Sequence, residues 1–260
     1  MKLVTILQTI NEEEIIEDCL LERLKHFDLI SIIDSSTDNT PELCKSMAKS
    51  YPDRIIYQWD GTPGASIKYF RERLYESLKG KIDDNTWIWQ LDTDIRFQEH
   101  TSIGGLTQFL IEADREGANC IACRIQQFYP TFEDIENNVH WKDFKYYSVN
   151  WRSKIIYKGL SKLYFKGAMQ ETPCVPDEKK ASLSPTVRHY QYRNPTQIQK
   201  RIDRAFGLGC YTHVTSKDWH DYIIDKEFLS KVDDPKWRRP HHSWRSLVQL
   251  TQQKNGIYRT

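Results

Sequence analysis

The chain has 260 residues, 39% of them hydrophobic and 28% charged, a balance that excludes a disordered or fibrous protein and is sufficient for a substantial core. A formal net charge of +1 excludes whole-molecule attraction to nucleic acid, so any anion site must be local. No apolar run approaches the ~20 residues of a membrane helix, and the N-terminal run is shorter than a secretory leader before Glu12, Glu13 and Glu14 interrupt it, which predicts a cytoplasmic protein.

Residues 3–7 are β-branched and apolar and predict a buried strand; Ile15, Ile16, Cys19, Leu20 and Leu24 then recur at helical spacing. A second buried strand over 29–33 ends at Asp34, and Thr40 followed by Pro41 predicts the cap and first turn of the next helix. A third strand over 55–59 ends at Asp60-Gly61, and the loop at 61–64 leads into a helix over 66–78. A fourth strand over 87–91 runs into Asp92-Thr93-Asp94. A helix over 103–115 and a strand over 119–127 follow; residues 128–152 are aromatic and aperiodic, as an inserted substrate loop is. A hairpin over 154–165, a short strand over 186–192 and a helix over 196–211 complete the reading.

Strands alternating with helices predict an α/β fold: a mostly parallel, Rossmann-like central sheet with helices on both faces. Ligands of such sheets bind beyond the C-terminal ends of the strands, where Thr9, Asn11, Glu12, Asp34, Asp60, Asp92 and Asp94 fall. Cys120 and Cys123 have CxxC spacing but lie in the apolar run 118–125 with no second Cys or Cys/His pair, which predicts buried thiols and no zinc.

Two carboxylates two residues apart at a strand end can share one hard divalent cation, and Mg²⁺ or Mn²⁺ suits oxygen ligands while retaining sites for phosphate oxygens. Asp92 and Asp94 have that arrangement, with Thr93 between them. Asp34, ending a buried strand, is a candidate acceptor for a nucleobase or ribose, and Asp38 supports the loop behind it.

Together these segments resemble family 2 glycosyltransferases of the GT-A fold. Thr9-Ile10-Asn11-Glu12 matches the family's opening Asn-Glu pair, and Ile33-Asp34-Ser35-Ser36-Thr37-Asp38-Asn39-Thr40 is similar to its Asp-Asp-Gly-Ser-x-Asp-x-Thr stretch. Ile33 and Ser35 depart from that stretch, and the family's Ala-Arg-Asn is absent from 66–71. The resemblance implies that Asp34 binds the base and that Asp92 and Asp94 form the metal motif; Asp60, Lys68 and Thr93 are further candidates at the nucleotide. Residues 165–171 look like the Gly-x-x-His-Glu segment of lipopolysaccharide-core members, with Gln170 in place of the histidine, which makes Glu171 the candidate base. Residues 187–193 are similar to the His-Tyr segment that follows, which makes His189 a third metal ligand. On the helix from 196, Lys200, Arg201 and Arg204 form a cationic face beside an apolar stripe, and Arg201 and Arg204 are candidates for the diphosphate.

The implied protein transfers sugar from a nucleotide diphosphate, UDP by resemblance, to a glycan or glycolipid acceptor. Residues 1–212 form its catalytic domain, with 1–97 holding nucleotide and metal and 98–212 on the acceptor side; 213–260 are an extension. In that extension 237–245 are basic and aromatic, a candidate contact with a charged glycan, a partner or the inner face of a membrane. The rival readings are a haloacid-dehalogenase-like hydrolase, whose DxDx(T/V) motif follows the first strand whereas this one follows the fourth and carries Arg96, and a non-catalytic binding module.

Overall fold

The computed structural model describes residues 1–62, 67–97, 105–150, 156–159, 161, 163–164, 173–207 and 218–231. In chain order the elements are β1 (Leu3–Thr9), α1 (Ile16–Leu24), β2 (Leu29–Asp34), α2 (Thr40–Ser50), β3 (Ile55–Trp59), α3 (Ile67–Leu78), β4 (Trp87–Gln90), β5 (Ile95–Phe97) and α4 (Leu106–Arg115). Then come β6 (Cys120–Ile121), β7 (Arg124–Phe128), α5 (Phe132–Glu136), β8 (Tyr146–Asn150), β9 (Ile156–Lys158), β10 (Thr186–His189), α6 (Pro195–Gly207) and β11 (Ser230–Lys231). They fall into two compact units, one of Met1–Arg124 with Trp151–Val187 and one of Ile125–Asn150 with Arg188–Thr260.

The first unit holds a six-stranded sheet in the order β3-β2-β1-β4-β9-β6. β3, β2, β1 and β4 are parallel; β9 runs antiparallel to both β4 and β6. Val4, Thr5, Ile6 and Leu7 of the central strand are all 0% exposed, so both faces of the sheet are covered, as near-continuous apolar strands require. On one face Phe70, Leu74, Tyr75 and Leu78 of α3 pack on Val4, Ile6, Ile33 and Ile88. Cys120 and Cys123 are buried, and burial pushes the Cys120 thiol up to about 11, so both behave as the small hydrophobes expected.

The second unit contains the antiparallel ladder β11-β8-β7. Its core is aromatic: Phe128 stacks on Tyr190 at 4.9 Å between ring centres and Tyr129 on Tyr192 at 5.6 Å. Ile198 and Ile202, the apolar stripe of α6, close on Ile223.

Four expectations change. The strand predicted over 119–127 is two, β6 and β7, and the stretch predicted as aperiodic contains α5, a 3-10 turn at Trp141–Asp143 and β8. Helix α5 starts from a capping box in which Thr131 accepts from the Asp134 amide and Asp134 from the Thr131 amide at 2.8 Å; Asp at the third helical position, in place of the longer Glu or Gln, hides that signal. Among the described residues no hairpin forms around 156–158, because β9 joins β4 and β6 instead. Thr40 is the first residue of α2 and not its cap: its hydroxyl accepts from the Glu12 amide at 2.9 Å, while Asp38 accepts from the Thr40 amide at 2.9 Å.

Candidate active site

The parallel register places Thr9 beside Asp34 and Asp34 beside Trp59, and the amides of Asp60 and Leu91 continue the ladder onto Asp34 and Ile6. The loops carrying Asn11, Asp34, Asp60 and Asp92 therefore leave the sheet at one edge, where an open α/β sheet binds ligands. Topology alone brings these four residues together, because no two of them share an element.

The first two loops are laced to each other. Asn11 has φ 55°, in the left-handed region that Asn tolerates better than most side chains. Its amide donates to Ser36 Oγ at 2.7 Å, and its side-chain oxygen accepts from the Thr37 amide at 2.8 Å. Thr9 is buried and its carbonyl accepts from the Ser35 amide. Asn11 and Glu12 thus shape the loop of Ser35 to Thr40 from beneath, a role the isolated Asn-Glu pair does not reveal.

Asp34 is fully buried. One carboxylate oxygen accepts from the Ser36 amide and the other from the Tyr57 hydroxyl, each at 2.9 Å. Desolvation raises its pKa despite these hydrogen bonds, and Tyr57 is raised in turn by burial and by Asp34. Asp60 is also buried but has the opposite shift. It accepts from the Thr62 hydroxyl and amide, from Tyr69 Oη at 3.2 Å and from the Arg73 guanidinium, and these donors, the Thr62 hydroxyl first, hold its carboxyl below the usual range. Asp60 therefore ties the end of β3 to α3. Lys68, on the same helix, pairs with Glu72 at 3.5 Å.

Asp92 and Asp94 follow β4, and each offers a carboxylate oxygen within 4.8 Å of the other's. Asp94 and Thr93 are buried, whereas the Asp92 side chain is 34% exposed, with Arg71 Nη2 at 3.4 Å from its Oδ1. Two hard oxygens at this separation fit one small divalent cation better than they fit a zinc site, for which nitrogen and sulfur donors are preferred.

Main-chain contacts fix this turn. The Ile95 amide donates to the Asp92 carbonyl at 3.2 Å, Arg23 Nη2 donates to the same carbonyl at 2.7 Å, and Arg96 Nη1 donates to the Thr93 carbonyl at 2.6 Å. Arg23, Tyr57 and Arg71 are the site residues that sequence reasoning missed. A signal existed for Arg23, since it occupies the fourth place of the stripe Ile16, Cys19, Leu20, Arg23, where an apolar residue is expected.

In the second unit His189 ends β10, half-buried, and its carbonyl accepts from Gln127 Nε2 at 3.2 Å. Arg201 Nη1 donates to the Gln191 carbonyl at 3.4 Å. Glu171, the side chain of Arg204 and the basic-aromatic segment 237–245 lie outside the described residues. None of the described helices is long and apolar enough to cross a membrane.

Comparison with solved structures finds distant likenesses. A 4-diphosphocytidyl-2C-methyl-D-erythritol synthase from Anaerococcus prevotii is 12% identical with a TM-score of 0.33, over 60% of this chain and 70% of that one. A second synthase of the same name is 11% identical with a TM-score of 0.34, over 60% and 74%. Mouse xyloside xylosyltransferase 1, in its apo form, is 11% identical with a TM-score of 0.29, over 62% and 67%. No curated protein matches the chain. The sequence pattern of the glycosyl transferases matches it over residues 5–171, which spans every strand end of the first unit's acidic edge: the chain belongs to glycosyl transferase family 2 and is a glycosyltransferase of α/β, GT-A type.

Proposed function

We propose that the protein is an inverting, divalent-cation-dependent transferase that moves a sugar from a nucleotide diphosphate, UDP foremost, to a hydroxyl of a glycan or glycolipid. The observation that carries this reading is the pair of carboxylates Asp92 and Asp94, with oxygens within 4.8 Å, at the end of β4 on the same sheet edge as Asp34. Residues 1–97 seat the donor and 98–212 the acceptor.

Asp92 and Asp94, joined by His189, would hold Mn²⁺ or Mg²⁺; two carboxylates and an imidazole are donors that Mn²⁺ accepts. When bound, the cation neutralises charge on the departing nucleoside diphosphate. Asp34 faces the base and the Asn11 loop the ribose, with Asp60 and Lys68 framing that pocket and Arg201 and Arg204 adding positive charge for phosphate. Glu171 takes the acceptor proton as the hydroxyl oxygen bonds to the anomeric carbon and the bond from that carbon to the diphosphate breaks with its electron pair.

Asp34 needs one adjustment to do this, because both its oxygens already accept hydrogen bonds inside the protein. A base that donates to Asp34 shares Oδ2 with Tyr57 or displaces its hydroxyl, so Tyr57 sits where it can filter bases.

Thermal stabilisation by UDP, GDP, CMP and dTDP, each with Mn²⁺ and with chelator, tests the reading, because a ligand of the native state raises its stability by mass action. A shift with one diphosphate that chelation abolishes is expected. A shift with no nucleotide overturns it, and nucleotide binding with no transfer to any acceptor leaves a binding module.

A further inference from the structure

Helix α1 turns Ile16, Cys19, Leu20 and Arg23 inward, and all four are 0% exposed. Three are apolar or nearly so; the fourth is a guanidinium placed where a leucine or methionine would pack without desolvating a charge. Such burial is expensive unless the group is paired. Among the described residues Arg23 has no carboxylate partner. Its Nε lies 3.2 Å from Cys19 Sγ, Nη2 donates to the carbonyls of Asp92 at 2.7 Å and Ile95 at 3.5 Å, and Nη1 has no hydrogen-bond partner among the described residues.

Both carbonyls belong to one turn, the one that carries the two carboxylates. A second guanidinium completes the arrangement. Arg96 Nη1 donates to the carbonyls of Thr93 at 2.6 Å and Ile95 at 3.0 Å, and Arg96 is anchored on α1 by Asp18 and Glu22, each at 3.4 Å. Glu22 also accepts from the Phe97 amide at 3.1 Å. The carbonyls of Asp92, Thr93 and Ile95 are thereby tied to α1, directly through Arg23 or by way of Arg96.

We propose that Arg23 is a positioning residue for the cation: through the Asp92 and Ile95 carbonyls it fixes the turn in the conformation that holds the Asp92 and Asp94 carboxylates close enough to share one metal ion. This rests on the metal-dependent reading above. The planar fork suits the task, because one guanidinium reaches two carbonyls of the same turn in a fixed geometry that an ammonium matches less well.

Electrostatics alone predicts the opposite effect of removing it. A positive charge this close to the turn opposes a dication, so an arginine that contributed only charge would, when neutralised, leave Mn²⁺ bound more tightly. Replacing an arginine that only filled the core would move the thermal midpoint in chelator and leave Mn²⁺ affinity alone. A positioning arginine does neither: its loss weakens the metal.

The experiment is Mn²⁺ binding followed by the paramagnetic resonance of the free ion, at fixed UDP, for the wild type, Asp94→Asn, Arg23→Met and Arg23→Lys, with the thermal midpoint of each in chelator. Arg23→Met is expected to bind Mn²⁺ about tenfold or more weakly, the range for residues that orient metal ligands, and Arg23→Lys to fall between it and the wild type. A folded Arg23→Met protein that binds Mn²⁺ as tightly as the wild type, or more tightly, overturns the assignment. If Arg23→Met does not fold, Arg23→Lys decides: affinity equal to wild type overturns it and a loss supports it. Wild type and Asp94→Asn binding Mn²⁺ alike removes the metal reading itself, whereas binding lost in Asp94→Asn but intact in Arg23→Met removes only the role of Arg23.

Discussion

Asp60 and Asp92 stand at comparable places, each just past the C-terminal end of a parallel strand, and the fold uses them in opposite ways. The Asp60 side chain is 4% exposed and accepts from Thr62, Tyr69 and Arg73, so its oxygens are spent on holding β3, the following loop and α3 together. The Asp92 side chain is 34% exposed, with Arg71 at 3.4 Å, while the Asp92 carbonyl accepts from Arg23 at 2.7 Å and the Thr93 carbonyl from Arg96 at 2.6 Å. Position at the binding edge of an α/β sheet thus does not by itself give a carboxylate its partners. What distinguishes the two is which of their atoms the surrounding protein has already engaged.

Substitution separates the two residues by what fails. The largest effect is expected for Asp94→Asn, which keeps the shape of the side chain and removes its charge: transfer activity falls on the order of 100-fold, as when one preorganised charge-stabilising group is lost, while the thermal midpoint in chelator stays near wild type. Steady-state rates with the nucleotide sugar identified by the stabilisation screen measure it, and full activity in the folded variant breaks the assignment. Asp60→Ala is expected to reverse the pattern. It removes the charged acceptor shared by Thr62, Tyr69 and Arg73 and lowers stability by about 1–3 kcal/mol in urea unfolding, with activity per folded molecule changed little; a loss of activity with unchanged stability would make Asp60 a ligand of the nucleotide.

The pH dependence sharpens the contrast between Asp60 and Asp34. Asp60 has a folded pKa below its unfolded value, so its contribution to stability is present above the unfolded value, ~3.9, and is lost as pH falls through the folded one. Asp34 is raised, so the folded state holds its proton more tightly; its contribution is fully present below ~3.9 and is lost as pH rises through the folded pKa. Urea midpoints between pH 3 and 7 should show Asp60→Asn less stabilised than wild type by raising the pH, and Asp34→Asn more so. Shifts of the same sign would refute the opposed environments. The smallest effect is expected for Tyr57→Phe, which removes one hydrogen bond from Asp34 and lowers stability by about 1 kcal/mol; a diphosphate screen on this variant that accepts bases the wild type rejects would make Tyr57 the filter, and an unchanged screen would make it structural.

Much of the first unit was legible in the sequence because its strands and helices are buried on a regular period: β1 to β4 and α1 to α3 fall where the apolar spacing puts them. The second unit was less so. Its packing depends on pairs such as Phe128 with Tyr190 and Tyr129 with Tyr192, which come from separate segments and leave no period in either. Likewise Asp92 and Asp94 announce themselves by spacing, while Arg71, Tyr57 and Arg23 act on them or on Asp34 across 21, 23 and 69 positions of chain.

The sequence by itself determined the fold class, the order of the parallel-sheet elements and the family, because local burial period and short motifs are written in consecutive residues. Only the tertiary structure decided which acidic residues are engaged by their own protein and which turn is tethered through its main chain. Those properties depend on donors brought from distant elements, and on whether a charge ends in water or in the core, which no run of neighbouring residues records.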